Sequence, residues 1–486
     1  MSQQSSRPNA VAASLLGADP AYVEHLFTSR RVRVRLEPTL AGRPDARETV
    51  ILAVNQILRF CPNIALDIPA TDADLLETAN ALAADIHGPT PPVATADVES
   101  AAFDAVLNVG LKVRDDPAWI TVSSDGWLAR VATATAGART LPRPRKPYNP
   151  LGALGAACLG AGQVFFALIG HPLLAVPIEL SLYSLETGPL GALTQGPVLP
   201  ENLTIDALLI GCGGVANGWT YAVKRLPITG RTEAVDHQAL RRENIGPYVC
   251  AGRASLNKPK THIVRDVLAP AIEVIPRPER FRFFKARIGY GQTAVPHIVI
   301  SALDNPQTRH DVQRLWPTTT IDLAAEDLSA QVIVKYLGDD GICLLNAYAE
   351  PDEDGNELAQ LAAATGLAPD RIADFESQIT EEDIAAAPAE KRAALQAARA
   401  RGQAVCGRVG DLDLNEEEYS ADFTPAVPFV TAFAGIAAAA QTARLLAGGP
   451  LTSMHFQFSF ISYRSRRLDM KCDPGCACRD REEMAR

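Results

Sequence analysis

Apolar and polar positions change period several times along this chain. In the first half, a helix-like stretch, DADLLETANALAADI, lies among strand-like runs: RVRVRL from Arg31, ETVILAV from Glu48, AWITVSS from Ala118 and WLARVAT from Trp127. The second half repeats this alternation, with the strand-like runs IDALLIG, VPHIVISAL and AQVIVKYL and the helix-like runs WTYAVKRL and KTHIVRDVL. Strands that alternate with helices predict an α/β fold with mostly parallel sheets.

Similarity between two segments of the chain favours a duplicated architecture. The segment PLGALGAACLGAGQVFFALIG from Pro150 aligns without a gap with PFVTAFAGIAAAAQTARLLAG from Pro428, and the two share proline, glutamine and glycine positions. Each is interpreted as a proline that enters a helix of small residues, which a glycine closes. An alanine-rich composition produces some of these matches by chance, but the shared positions favour duplication.

The duplication predicts two similar α/β units, residues 1–195 and 196–486. Residues 376–402 are charged and alanine-rich, and Pro388 breaks their pattern. We interpret them as an exposed helical excursion within a crossover region at about residues 350–420, between the last strand and the second small-residue helix.

Composition narrows the class of protein. The chain has 486 residues, of which 47% are hydrophobic and 21% charged, so it has apolar material for more than one core. The formal net charge of −10 disfavours nucleic acid as the main partner. The first residues lack the pattern of a secretory signal and the nine cysteines are scattered, which together favour a cytoplasmic protein with reduced thiols.

Residues 147–178 contain no Asp, Glu, Lys or Arg, a length that can span a bilayer. The interruption at Gly170-His171-Pro172 and the many small residues favour a helix packed closely inside a soluble protein. We therefore expect no membrane span.

A glycine-rich bend, GCGGVANG, follows the strand-like run that ends at Ile210. Gly211, Gly213 and Gly214 allow the backbone to approach a phosphate, and the next helix begins with unpaired N–H groups at its positive end. A nicotinamide-binding turn or a simple strand-to-helix connection needs the same glycines. The bend alone favours dinucleotide binding.

Polar residues further along favour ATP instead. Asp236, after the next predicted strand, is placed to bind a nucleotide ribose; Asn244 and Lys260 follow, and Asp304 comes at the end of a later strand. An acid for the sugar, a lysine for phosphate and a late aspartate for Mg²⁺ are typical of an ATP site and not of a hydride-transfer site.

This combined spacing resembles the ThiF/MoeB/ubiquitin-activating (E1-like) superfamily. Asn244 lies eight residues after Asp236, Lys260 sixteen residues further, and Asp304 forty-four further still. The segments TPAVPFVTAFAGIAAAAQTARLL and DPGCAC are similar to later landmarks of that superfamily, so the resemblance covers residues 205–480.

The resemblance implies a role for each matched residue. The three glycines of the bend cradle the ATP phosphates, Asp236 holds the ribose, Asn244 and Lys260 polarise the α-phosphate, and Asp304 holds Mg²⁺. The first half has no GxGG bend and is similar to the inactive adenylation domain of tandem ThiF-type enzymes, which pairs with an active second domain. The expected fold is therefore two Rossmann-like domains in tandem.

Two positions depart from the superfamily pattern. Gln238 stands where a second acid is usual, and Pro247 stands where an arginine normally supports the triphosphate. Arg253, or Arg30 and Arg31 arriving from the N-terminal segment or from a partner subunit, are the candidates to replace that arginine. A non-catalytic scaffold with a decayed site is the other interpretation.

One cysteine suggests a second chemical step. An adenylated carboxylate is electrophilic, and a nearby thiolate captures the acyl group as a thioester. By the resemblance, Cys406 lies in the crossover region where such enzymes commonly keep their nucleophile, and neighbouring arginines would lower its pKa. A buried structural cysteine is the competing interpretation.

Four other cysteines suggest a metal site. Cys472, Cys476 and Cys478 crowd together in KCDPGCACRD, and Cys343 corresponds to the first member of the superfamily's upstream CxxC pair, whose second member here is Asn346. Four thiolates suit tetrahedral Zn²⁺. A reduced tail without metal is the alternative.

The resemblance thus implies an enzyme that adenylates the C-terminus of a ubiquitin-like protein with ATP, forms a thioester and passes the acyl group to an E2-like carrier, with a homodimer as a further expectation. The degenerate first half and late cysteine are most similar to the BilD-type enzymes of bacterial ubiquitin-like conjugation operons, which have antiviral roles. The alternatives are an adenylyltransferase for a sulfur carrier, peptide or nucleoside without a thioester, and the scaffold.

Overall fold

The computed structural model of the chain describes residues 7–88, 94–95, 103–137, 139–289, 291, 294–348, 362–363, 365–368, 371, 378–400, 427–449 and 452–478. The helices in these residues are Arg7–Leu16 (α1), Pro20–Ser29 (α2), Pro44–Leu58 (α3), Asp74–His87 (α4), Pro150–Leu168 (α5), Gly214–Val223 (α6), Lys260–Leu268 (α7), Phe281–Gly289 (α8), Pro306–Gln313 (α9), Leu344–Ala347 (α10), Glu381–Ala386 (α11), Ala389–Ala400 (α12) and Pro428–Leu446 (α13).

The strands are Val32–Leu36 (β1), Ile64–Asp67 (β2), Ala94–Thr95 (β3), Ala105–Val109 (β4), Trp119–Asp125 (β5), Leu128–Thr133 (β6), Ile178–Ser181 (β7), Thr187–Gly188 (β8), Leu203–Ile210 (β9), Ile228–Val235 (β10), Ile272–Arg277 (β11), Ile298–Ser301 (β12), Thr319–Glu326 (β13), Ser329–Tyr336 (β14), Met454–Ser459 (β15) and Arg464–Leu468 (β16).

The strands form two sheets with the same topology. The first has the order β3-β2-β1-β4-β5-β6-β7-β8 and the second the order β11-β10-β9-β12-β13-β14-β15-β16. In each sheet the first five strands are parallel and the last three pair antiparallel. The prediction of an α/β fold with two mostly parallel sheets is confirmed.

The two small-residue helices occupy equivalent places in the two sheets. Both α5 and α13 have 19 residues and begin at the prolines that the sequence alignment matches. A side chain on Gly435 of α13 would overlap the backbone of Trp219 in α6, so glycine permits the close crossing of these helices. In the most apolar 18-residue stretches of α5 and α13, 94% and 83% of the stretch is buried, as expected for core helices of a soluble α/β protein.

One hydrophobic core connects the two sheets. The Phe165 ring of α5 lies 5.4 Å from the Phe429 ring of α13, and Phe429 lies 5.0 Å from Phe460 after β15. Both sheets belong to one compact unit of residues 1–304, 312–347 and 425–486; residues 305–311 and 348–424 form a second unit. The division at residue 195 into an inactive and an active domain remains a prediction.

One predicted strand was wrong. ETVILAV lies inside α3, where Val50, Leu52, Ala53 and Val54 are all buried. A helix that is buried on most sides shows no clear apolar stripe, so a short apolar run within it looks like a buried strand.

The charged excursion is helical where it is described, as predicted. Helices α11 and α12 lie on either side of Pro388, and Thr380 caps the first of them through a hydrogen bond from the Asp383 backbone N–H. Cys406 lies outside the described residues.

Candidate active site

The glycine-rich bend lies at the carboxyl end of β9, between the ends of β10 and β12. Gly211 has φ of +81°, and a Cβ atom there would lie 2.5 Å from the carbonyl oxygen of Ala302. Gly213 is the N-cap of α6 and has no side chain to satisfy the first N–H groups of the helix. The bend therefore offers backbone donors and a positive helix end to an anion.

Asp236 contacts the bend directly. It follows β10, and its Oδ2 accepts a hydrogen bond of 2.8 Å from the Cys212 backbone N–H. Its Oδ1 accepts another of 2.8 Å from the Gln238 backbone N–H. The structure thus brings together the predicted phosphate bend and the predicted ribose-binding acid.

Lys260 lies in the same site. It is the first residue of α7 and only 6% exposed, and its Nζ donates to Gln238 Oε1 at 2.5 Å. Burial acts to lower the pKa of Lys260, but Tyr248 and Asp236 outweigh it and the pKa is raised. The ammonium therefore stays charged at neutral pH. Gln238, which replaces the expected second acid, is a partner of this lysine.

Asn244 lies in the segment between β10 and α7. It is 4% exposed, and its Oδ1 accepts a hydrogen bond of 3.0 Å from the Arg241 backbone N–H, which caps the 3-10 turn Arg242–Ile245. Asn244 is thus a capping asparagine in this structure, and its proposed contact with the α-phosphate remains a prediction.

Asp304 lies at the same sheet edge as the bend. It comes two residues after Ala302, whose backbone N–H bonds the Ile210 carbonyl oxygen, and it is exposed. An exposed carboxylate at the edge that carries the predicted phosphate bend suits a hydrated Mg²⁺, which keeps several waters when it binds.

The three arginines considered as substitutes for the superfamily arginine have neighbours in the first half. Arg30 forms an ion pair with Asp104, and the Arg31 guanidinium lies 5.1 Å from the centre of the Phe103 ring. The guanidinium carbon of Arg253 lies 3.3 Å from where a Gly88 side chain would begin. Their role in ATP binding stays a prediction.

Tyr248 is a residue of this site that sequence analysis missed. It is 3% exposed, and its hydroxyl oxygen lies 3.6 Å from the position of a Cβ on Gly213. The Lys260 Nζ lies 5.5 Å from the centre of the Tyr248 ring. The sign in the sequence that could have identified Tyr248 is that it directly follows Pro247, the position at which the superfamily pattern has an arginine.

The four cysteines of the predicted metal site converge. The sulfurs of Cys343, Cys472, Cys476 and Cys478 all lie within 4.8 Å of one another, and all four residues are buried. Zn–S bonds of about 2.3 Å place tetrahedral sulfur ligands about 3.8 Å apart, so the donor set fits Zn²⁺. Hydrogen bonds from Cys472 and Cys478 lower the pKa of the Cys343 thiol, which favours a thiolate in the cluster.

Asn346, at the missing CxxC position, supports this cluster from outside. It donates from Nδ2 to Asp473 Oδ2 at 3.0 Å, and its Oδ1 accepts from the Asp473 backbone N–H at 3.2 Å. These bonds connect the segment after Cys343 with the segment after Cys472. Four buried converging thiols do not fit a tail without a specific structure.

Comparisons with known proteins find distant likenesses. No protein-family model matches the sequence. The uncharacterized protein y4jF of Sinorhizobium fredii (strain NBRC 101917 / NGR234) is 26% identical over 347 residues, which are 69% of this chain and 64% of that protein, so the chain spans less than two thirds of that relative's length. Among solved structures, E. coli MccB has a TM-score of 0.38 at 14% identity, over 57% of this chain and 65% of that chain. E. coli MccB with ATP has a TM-score of 0.37 at 14% identity, over 57% and 67%.

Proposed function

We propose that this protein is an E1-like enzyme that uses ATP and Mg²⁺ to adenylate the C-terminal carboxylate of a small ubiquitin-like protein. The observation that carries the proposal is the convergence of Asp236 and Lys260 on the glycine-rich bend, with Asp304 at the same sheet edge. A buried ammonium, open helix N–H groups and a carboxylate for the ribose together suit a nucleoside triphosphate.

In the proposed reaction, the residues of the site hold the nucleotide and stabilise charge. The bend and Lys260 bind phosphate oxygens, and Asp236 accepts hydrogen bonds from the ribose. An oxygen of the substrate carboxylate attacks the α-phosphorus, the bond from that phosphorus to the bridging oxygen breaks, and pyrophosphate leaves with the electron pair. Asp304 would hold Mg²⁺, which supplies charge neutralisation at the phosphates when bound.

The second step of the proposal uses Cys406. Its thiolate attacks the carbonyl carbon of the acyl adenylate, the acyl–oxygen bond breaks and AMP leaves, so that a thioester links enzyme and modifier. An E2-like carrier then takes the acyl group. This step, the homodimer and the antiviral role rest on the resemblance of the sequence to BilD-type enzymes, and the cytoplasmic location rests on its scattered cysteines.

The cysteine cluster has a structural role in the proposal. Cys343, Cys472, Cys476 and Cys478 would hold Zn²⁺ and so fix the segment after β16 to the segment after β14. A metal with four protein ligands leaves no open position for substrate, which is typical of a structural site.

Exchange of radioactive pyrophosphate into ATP tests the adenylation step. Full-length protein, MgATP and a small ubiquitin-like protein of the β-grasp fold are expected to give exchange that requires that small protein. No exchange with a verified partner would favour the scaffold interpretation.

Replacing Cys406 with alanine tests the thioester separately. The variant is expected to retain pyrophosphate exchange and to lose an adduct with the modifier that reducing agent cleaves. An adduct of unchanged yield would remove the thioester step and favour an adenylyltransferase that acts on a sulfur carrier, peptide or nucleoside.

A further inference from the structure

The position of Tyr248 beside the glycine-rich bend indicates a role in ligand binding. It follows Pro247, which stands where the superfamily has an arginine, and its hydroxyl lies 3.6 Å from the position of a Cβ on Gly213. Gly213 is the N-cap of α6, so the hydroxyl faces the part of the bend where phosphate oxygens would bind. A residue that takes over the role of that arginine must donate a hydrogen bond, and a tyrosine hydroxyl can do so.

The backbone around Tyr248 is held on both sides. The Thr431 hydroxyl donates to the carbonyl oxygen of Pro247 at 2.9 Å, and the Asn55 amide donates to the carbonyl oxygen of Val249 at 2.9 Å. Arg59 donates to the carbonyl oxygens of Ile245 and Ala251. The backbone on both sides of the ring is therefore held before any ligand arrives, which reduces the ordering cost of binding.

The neighbouring ammonium group limits what the hydroxyl can do. The Lys260 Nζ lies 5.5 Å from the centre of the Tyr248 ring, and an ammonium group can only donate, so toward Lys260 the phenol oxygen can act only as an acceptor. The O–H hydrogen is then available to an acceptor on the side of the bend. Burial raises the pKa of Tyr248 and the nearby Lys260 charge only partly opposes this, so the phenol keeps its proton at neutral pH.

We propose that the Tyr248 hydroxyl donates a hydrogen bond to the phosphate oxygens of bound ATP and replaces the arginine that the superfamily has at position 247. This inference rests on the proposed nucleotide site and adds a phosphate-binding residue to it. Lys260 and Tyr248 then form a linked pair, one charged and one neutral, at the same phosphates.

Nucleotide competition on the full-length chain tests the inference. ATP with Mg²⁺, and separately adenosine, displaces a fluorescent ATP analogue from wild type and from Tyr248→Phe. Loss of one hydrogen bond to a charged group is expected to weaken ATP binding roughly 10- to 100-fold. Adenosine binding should be unchanged because it has no phosphate.

A matched variant separates the loss of one particular hydroxyl from a general effect of removing a buried one. Tyr221→Phe changes another buried tyrosine, on α6, whose hydroxyl has no hydrogen-bond partner among the described residues, and it should leave ATP binding unchanged.

The outcomes distinguish this inference from the proposed function. Equal ATP affinity for wild type and Tyr248→Phe overturns the inference and leaves the nucleotide site intact. Equal weakening of ATP and adenosine shows a structural role and also overturns it. A wild-type chain that binds neither ligand removes the proposed function, and the inference with it.

Discussion

The two sheets have the same strand order, but their carboxyl edges differ at one equivalent position. Leu36 at the end of β1 pairs with Val109 as Ile210 at the end of β9 pairs with Ser301, so Glu37 stands where the second sheet has Gly211. Glu37 is 5% exposed, and its Oε2 accepts hydrogen bonds from the backbone N–H groups of Leu111 at 2.7 Å and Lys112 at 3.0 Å.

This comparison shows how the same fold can leave backbone donors open at the carboxyl edge of one sheet and occupy them at the other. In the first sheet, a carboxylate of the protein already takes the backbone donors at the edge; a side chain on Gly110 would overlap that carboxylate. In the second sheet, Gly211 has no side chain and, of the N–H groups of the bend, Asp236 takes only that of Cys212, so the N–H groups at the start of α6 have no side-chain cap among the described residues and can face an external anion. The carboxyl edge of the first sheet, called the first edge below, is therefore already occupied by the Glu37 carboxylate; the second edge is the carboxyl edge of the second sheet.

The largest expected effect tests the second edge. Lys260→Met removes the buried ammonium from the site, and we expect pyrophosphate exchange to fall by roughly 10² to 10³, the usual cost of losing one preorganised electrostatic contact. Lys258→Met, two residues away and exposed, is the matched control and should exchange normally. If Lys260→Met exchanged as well as this control, the two edges would not differ in the way proposed.

We expect the next largest effect from replacing Arg59, a residue of the first half that bonds to the second half. Arg59 on the turn after α3 is buried, and its guanidinium bonds Asn55 Oδ1 and the carbonyl oxygens of Ile245 and Ala251. Arg59→Leu removes the donor from Asn55 Oδ1 and from the Ala251 carbonyl oxygen, so the free energy of unfolding should fall by roughly 3 kcal/mol in urea titrations.

A partly exposed arginine of the first half provides the comparison. Arg43 pairs with Asp45 only two residues away, and Arg43→Leu should change the free energy of unfolding by less than about 1 kcal/mol. Equal losses for the two variants would mean that Arg59 has no special part in holding the segment that carries Asn244 and Tyr248.

We expect the smallest effect from replacing Glu37, the residue that occupies the first edge. Burial acts to raise the pKa of Glu37, but hydrogen bonds from the Lys112 backbone, Thr39 and the Leu111 backbone outweigh it, and the pKa is lowered. Its contribution to stability is therefore present above the pKa of the unfolded chain and is lost as pH falls through the lower folded value. Glu37→Gln should cost about 1–2 kcal/mol at pH 7, with a smaller difference in acid, measured by urea unfolding at both pH values.

Nucleotide stoichiometry completes this test. Wild type and Glu37→Gln should each bind one MgATP per chain in calorimetric titrations, because only the second edge has the glycine bend. Two nucleotides per chain in either protein would contradict the assignment of the first edge as filled, as would a stability difference that does not shrink in acid.

Several features of the fold were predictable because their signals are local. Helix α7 begins and ends where the run KTHIVRDVL does, and the bend between β9 and α6 lies where the glycines place it. Residues Pro150 and Pro428 start their helices since proline suits the first helical turn. The run ETVILAV failed because burial on most sides of α3 removes the period that separates helix from strand.

The site was predictable only in part. The spacing of Asp236 and Lys260 identified two side chains that the structure brings to the bend, but Tyr248 carried no motif. The predicted metal site combines Cys343 with Cys472, residues more than a hundred positions apart, and only the resemblance to a family joined them.

Local sequence sets the alternation of strands and helices, the two matching small-residue helices and the open bend at Gly211, because periodicity, proline and glycine act on the nearest neighbours in the chain. The tertiary structure alone decided that Glu37 fills the first edge, that Arg59 holds the segment after Asn244 and that Tyr248 faces Gly213. Each of these depends on hydrogen bonds between residues distant along the chain, whose geometry is set by packing and not by local pattern.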